Sequence, residues 1–120
     1  MAQNGFQGSF RRGLMPLVVL SLLQSGDMYG YQLVQETERR SGGAIVTQEG
    51  SLYPVLYKLE EAGYISDRRV LAGKRMTRVY YHLEPEGAAY LEALSEEYRT
   101  VAAGMALLME GGSQHDRQTE

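Results

Sequence analysis

The chain has 120 residues, 43% apolar and 22% charged, with a net charge of -3 and a sequence pI near 5.4. This is globular composition and one domain's length, enough to bury a little under ~70% of the unfolded surface without staples. With no cysteine, the chain excludes disulfide frameworks, thiol catalysis, zinc fingers and iron–sulfur clusters and suits a reducing cytoplasm, while its acidic total, taken alone, argues against a nucleic-acid partner.

Residues 1–10 carry two glycines, two glutamines and an asparagine and read as a loose, flexible arm. The longest apolar run, Leu14 to Leu23, falls well short of the ~20 residues needed to cross a bilayer, so no membrane association is expected. Pro16 inside the run, and the lack of a clean small-x-small cleavage site, favour a buried helix over a signal peptide. A first helix is therefore predicted from Arg11 to Gln24, its apolar residues too dense for one stripe, with Pro16 acceptable only near the start. Asp27 is placed as the cap of a second helix, Met28 to Ser41, which Gly42-Gly43 stops.

The third helix, Thr47 to Ala62, buries Leu52, Val55, Leu56, Leu59 and Ala62 along an arc about 120° wide. Gly50, Ser51, Pro54, Tyr57 and Lys58 take its opposite face. Pro54 costs no hydrogen bond only if the helix starts near Gly50 or Ser51; an earlier start implies a kink or a first turn that is not α. Gly63 ends this helix. Tyr64 to Leu71 and Met76 to Leu83 then read as a hairpin around Ala72-Gly73-Lys74. Val79, Tyr81 and Leu83 share one face of the second strand, and Arg78, Tyr80 and His82 share the other.

A last helix opens at Pro85. Leu91, Leu94, Tyr98, Val101, Met105 and Leu108 are spaced 3, 4, 3, 4, 3, a heptad seam suited to a homodimer. From Glu86 to Met109 this helix is expected to be about 36 Å long. Residues 111–120 read as a frayed, disordered tail.

Three helices followed by a hairpin is the order of a winged helix-turn-helix: a mainly α, α+β domain over residues 11–83, with a dimerisation helix over 84–110. In that fold the third helix enters the major groove and the hairpin flanks the backbone. Split at that boundary, the charge reads differently. Residues 1–83 hold ten Lys/Arg against seven Asp/Glu, a net +3, and residues 84–120 hold two against eight, a net -6. Within the hairpin, Arg68, Arg69, Lys74, Arg75 and Arg78 face only Asp67, a local +4 where a wing meets phosphates.

The motifs now become specific. Tyr29-Gly30-Tyr31-Gln32-Leu33 follows Leu22-Leu23. Gly50-Ser51-Leu52-Tyr53-Pro54-Val55-Leu56 leads into Leu59-Glu60-Glu61-Ala62-Gly63-Tyr64-Ile65. Arg78-Val79-Tyr80-Tyr81-His82-Leu83 closes with Gly87. From about Phe10 to Leu91 the chain resembles the PadR-type transcriptional regulators, a bacterial winged-helix family. It departs at Tyr29, where the family usually has His, and at Glu84, where it usually has a capping Thr. The resemblance implies a cytoplasmic homodimer on a double-stranded, pseudo-palindromic DNA operator, usually as a repressor. It also implies release by a small aromatic or drug-like effector near the dimer interface.

Candidate groove and phosphate contacts are Tyr29, Gln48, Ser51, Tyr53, Tyr57 and Lys58, with Lys74, Arg75 and Arg78 on the wing. For Tyr53, packing against the second helix is an equal alternative, and the wing charges also protect a sheet edge from aggregation. Tyr31, Tyr98 and Met105 are effector-pocket candidates, against the plainer reading of a helix interface filled by methionine. No cofactor and no metal is expected. His82 on a strand and His115 in the tail form no triad, the carboxylates show no paired acid–base spacing, and no glycine run cradles phosphate, so no enzyme is expected. The reading from another class is a winged-helix module that binds a protein partner and no specific DNA.

Overall fold

The chain forms seven elements in a computed structural model that describes the backbone of residues 5–118 and the side chains of residues 5–111. They are α1 (Gly5–Leu23), β1 (Met28–Tyr29), α2 (Gly30–Arg40), α3 (Glu49–Glu61), β2 (Ile65–Leu71), β3 (Thr77–Leu83) and α4 (Pro85–Gln118).

The loose arm expected over residues 1–10 is corrected for residues 5–10, which form the first turns of α1; residues 1–4 lie outside the described residues. Phe6 and Phe10 sit one turn apart and extend the stripe of Leu14 and Leu17, a helical period that the glycines and glutamines mask. The early start leaves Pro16 well inside the helix rather than near its beginning. Farther along, α1 runs through the middle of the protein. Val19 and Leu20 are fully buried, with Leu33 of α2 and Leu52 and Leu56 of α3. The high apolar density of α1 therefore reflects cover on several sides.

The second predicted helix begins two residues late. Met28 and Tyr29 form a short strand antiparallel to β3, Met28 opposite Tyr81 and Tyr29 opposite Tyr80. Asp27 is consequently not the cap of α2. Tyr29 occupies that position in extended conformation, and its backbone N–H donates to Gln32 Oε1 at 3.3 Å. The sheet order is β1-β3-β2, with Ile65 opposite Leu83 and Leu71 opposite Thr77 in the hairpin.

Helix α3 starts at Glu49, slightly before the position that would spare Pro54, and its first turn is tight as anticipated. Gln48 O accepts from both Ser51 N–H and Leu52 N–H at 3.1 Å, the former an i to i-3 bond. Gly63 ends the helix at φ 82°, with Gly63 N–H donating to Glu60 O and Tyr64 N–H donating to Leu59 O. Tyr81 is buried with Ile65 under the helices, and Val79 and Leu83 pack beside them. That places Arg78, Tyr80 and His82 on the outer sheet face, as the alternation in β3 predicts.

Helix α4 is 34 residues, about 51 Å, rather than the 36 Å expected. The tail predicted over 111–120 is helical backbone through Gln118, so it is not a frayed end there; Thr119 and Glu120 lie outside the described residues. No strong breaker but glycine stands after Met109, and Gly costs a helix only ~1 kcal/mol per residue. Leu91 is buried at 4% exposure in this chain's own core. From Tyr98 onward α4 leaves the body, which is why the protein measures 72 Å along its longest axis.

Candidate nucleic-acid interface

The exposed face of α3 presents Glu49, Gly50, Ser51, Tyr53, Pro54, Tyr57 and Lys58, with Gln48 exposed at its start. Its buried face, Leu52, Leu56 and Leu59, fixes that orientation. Tyr53 packs against the second helix, as the alternative reading expected, and stays 48% exposed. Its ring lies beside Gly30 at the start of α2, and its hydroxyl donates to Glu49 Oε2 at 3.2 Å. Burial first, then the Glu49 charge, pushes the Tyr53 hydroxyl above its ordinary value, so it stays a donor. Glu49 was missed in the sequence reading, although a carboxylate four residues before a tyrosine on one helix face is a recognisable pair.

The wing turn, closed by Ala72 N–H donating to Met76 O at 2.8 Å, exposes Lys74 and Arg75. Neither forms an ion pair among the described residues. Arg78, on the outer face of β3, is half-buried: its guanidinium lies 4.4 Å from the centroid of the Tyr29 ring. Tyr29 in turn meets Tyr80 edge-on at 5.3 Å. Thus two candidates from distant segments, Tyr29 and Arg78, are brought together, and Tyr80 joins them without having been expected.

Asp27 anchors the same face. Its carboxylate pairs with Arg68 of β2 and lies 2.8 Å from His82 Nδ1 of β3. The Arg68 hydrogen bond, then that of His82, holds the Asp27 carboxyl below its ordinary range. Beside it, Ser66 Oγ donates to Glu84 Oε2 at 2.5 Å. Glu84 therefore does not cap α4 with its side chain; that side chain ties β2 to the start of the helix. On the other side of the hairpin, burial and then Asp67 raise the Glu60 carboxyl to about 7. Burial, then Glu60, pushes the Tyr81 hydroxyl up to about 12.

The six residues of the predicted α4 seam differ in exposure. Leu94 is half-buried, and Tyr98, Val101, Met105 and Leu108 are exposed at 50%, 51%, 46% and 70%. Leu91 is the correction: it packs inside its own chain and presents no surface to a partner. A heptad count alone does not distinguish the last residue of an internal core from the first of an external seam. Leu107 and Met109 are also exposed.

An open cleft of about 240 Å³ lies between α1, the end of α2 and the residue 41–45 link, lined by Leu14, Leu17, Val18, Leu22, Ile45 and Tyr98 with a polar rim of Glu36, Arg40 and Ser41. Arg39, then Arg40, holds the Glu36 carboxyl down at about 2. Of the three effector-pocket candidates only Tyr98 lines this cleft. Tyr31 faces solvent on α2 and Met105 lies two turns farther along α4, so the structure does not gather them. Among the described residues no three metal-ligating side chains cluster, and no helix is long and apolar enough to cross a membrane.

The order of elements, the three-stranded sheet and the exposed third helix define a winged helix-turn-helix protein. Residues 19–93 match the transcriptional regulator PadR-like family. The chain belongs to that family, and is a transcriptional regulator rather than an enzyme. A transcriptional regulator of Mycobacterium tuberculosis is 32% identical over 102 residues, 81% of this chain and 91% of its own. The crystal structure of a PadR family regulator from Eggerthella lenta superposes with a TM-score of 0.73 at 29% identity, covering 85% of this chain and 87% of that one. The negative transcriptional regulator PadR of Bacillus subtilis is 26% identical over 74 residues, 62% of this chain and 41% of its own. Its crystal structure in complex with operator DNA superposes with a TM-score of 0.63 at 25% identity, covering 68% of this chain and 46% of that one.

Proposed function

We propose that this protein is a cytoplasmic, homodimeric, sequence-specific DNA-binding repressor. Helix α3 enters the major groove through Gln48, Ser51, Tyr53, Tyr57 and Lys58, and the wing lays Lys74, Arg75 and Arg78 on the backbone or in the minor groove. Two copies joined along α4 present two such surfaces to the half-sites of a pseudo-palindromic operator. The observation that carries this reading is the polar, solvent-facing side of α3 in the same domain as a wing turn whose Lys74 and Arg75 are exposed and, among the described residues, have no carboxylate partner. The operator complex of the Bacillus subtilis relative supports it.

The cleft beside Tyr98 supports release by a small, mostly apolar effector. Its floor is leucine, valine and isoleucine, and its one carboxylate, Glu36, is already paired with Arg39 and Arg40.

A mobility-shift titration with the DNA upstream of the protein's own gene, over a series of salt concentrations, tests the reading. Tight binding of two chains per site that weakens steeply with salt is expected. Binding no better than to unrelated DNA returns the chain to the alternative, a winged-helix module for a protein partner, which the exposed and acidic C-terminal helix would then serve.

A further inference from the structure

Two arginines share the outer face of the sheet, and the structure treats them differently. Arg68 is neutralised: it forms an ion pair with Asp27, and its guanidinium also lies 5.4 Å from the Tyr80 ring centroid. Arg78 has no carboxylate partner among the described residues. Its guanidinium lies over the face of Tyr29, 4.4 Å from the ring centroid. An aromatic face orders a guanidinium through the ring quadrupole while leaving its full charge in place. Tyr29 is itself held on two sides, by backbone pairing opposite Tyr80 and by edge-on contact with that residue's ring at 5.3 Å.

We infer that Tyr29 is a positioning residue: its ring holds Arg78 ordered and unneutralised, so that Arg78 meets a DNA phosphate without first losing side-chain freedom. Asp27 performs the opposite service for Arg68, which is a structural cation of the sheet. This rests on the DNA-binding reading above, and it takes Tyr29 out of the candidate DNA contacts that the sequence suggested. The physical basis is preorganisation. An exposed arginine gives up rotamer freedom on binding, and a contact already made in the free protein removes most of that loss.

The free protein provides the first test. In its proton NMR spectrum the Arg78 side-chain protons should be shifted upfield by the Tyr29 ring, relative to those of exposed Arg75, and should return on Tyr29→Leu. The absence of that shift in the unaltered protein overturns the inference. Operator titration provides the second test, with circular dichroism confirming that each variant is folded. Tyr29→Leu should weaken binding about fivefold while keeping the salt slope, because the Arg78 charge remains. Tyr29→Phe should recover most of the loss. Arg78→Gln should lower the salt slope by about one, and adding Tyr29→Leu to it should cost nothing further. Equal losses from Tyr29→Leu in both backgrounds, or no rescue by phenylalanine, overturn the inference and leave the DNA-binding reading standing. An unaltered protein that binds no operator overturns both.

Discussion

Gly87 lies directly against the backbone of Tyr64: a Cβ built on it would stand 2.0 Å from the Tyr64 carbonyl oxygen and 2.8 Å from Leu83 Cδ1. The same carbonyl accepts the Glu84 N–H at 3.0 Å, and the Tyr64 ring stacks on Tyr90 with centroids 4.3 Å apart. The start of the hairpin and the start of α4 are thereby fixed to one another. The geometry of the wing relative to the long helix depends on a residue with no side chain.

Gly87→Ala should therefore destabilise the fold by about 3 kcal/mol, the upper range for overpacking, because the obstacle is backbone and no rotamer change relieves it. Gly13→Ala is the control: nothing lies within 4 Å of its Cβ position, and it is an exposed helical site. That change should stabilise by up to ~1 kcal/mol through helix propensity. Urea unfolding of both variants beside the unaltered protein reads the two signs. Equal midpoints for all three would remove the close approach at Gly87.

Asp27 links the turn after α1 to two strands of the sheet, and Arg68 foremost, with His82, depresses its carboxyl below the usual 3.8. A depressed carboxyl contributes stability above its unfolded pKa and loses it as pH falls through the folded value. Asp27→Asn should accordingly lower stability at pH 7, and the difference from the unaltered protein should close on acidification below about 3.8. Paired thermal melts from pH 7 down to pH 3 measure this. A deficit that persists undiminished at pH 3 would assign the effect to packing instead of charge.

Lys74 and Arg75 carry exposed charge on the wing turn, which contributes no buried side chain to the core. Replacing both with Ala should flatten the dependence of log affinity on log salt by about two phosphate units while leaving the melting temperature unchanged. Lys58→Ala on α3 should flatten it by about one. An unchanged slope in the double variant would mean that the wing charges only guard the sheet edge.

Much of this architecture is written locally. The alternation from Thr77 to Leu83 assigns both faces of β3, Gly63 marks the end of α3, and Pro85 marks the start of α4. What escaped the sequence reading depends on partners far along the chain. Met28 and Tyr29 carry no signal for a strand, because their pairing is decided by Tyr80 and Tyr81 some fifty residues away. Asp27 has the right type and position for a helix cap, yet the sheet brings the Arg68 guanidinium and the His82 ring within reach, and a charged partner outweighs a neutral backbone N–H. Among the interface candidates, the exposed face of α3 followed from periodicity. The contact between Tyr29 and Arg78 did not, since it requires the same unseen strand pairing.

The boundary between internal core and external seam on α4 leads to the last prediction. Leu91 is buried at 4%, whereas Met105, fourteen residues or two heptads farther along, is exposed at 46% in the isolated chain. The same substitution at these two positions should have different consequences. Leu91→Glu places an unpaired carboxylate among apolar side chains and should unfold the domain. Met105→Glu should leave the fold intact and place a carboxylate in the apolar seam of the proposed dimer, giving a folded monomer at micromolar concentration by light scattering. Operator affinity should then fall by a factor of ~100 or more, since the second half-site no longer benefits from the effective concentration that the linked copy provides. A dimer that survives Met105→Glu would place the contact elsewhere, on the exposed stripe of Phe6 and Phe10 at the start of α1.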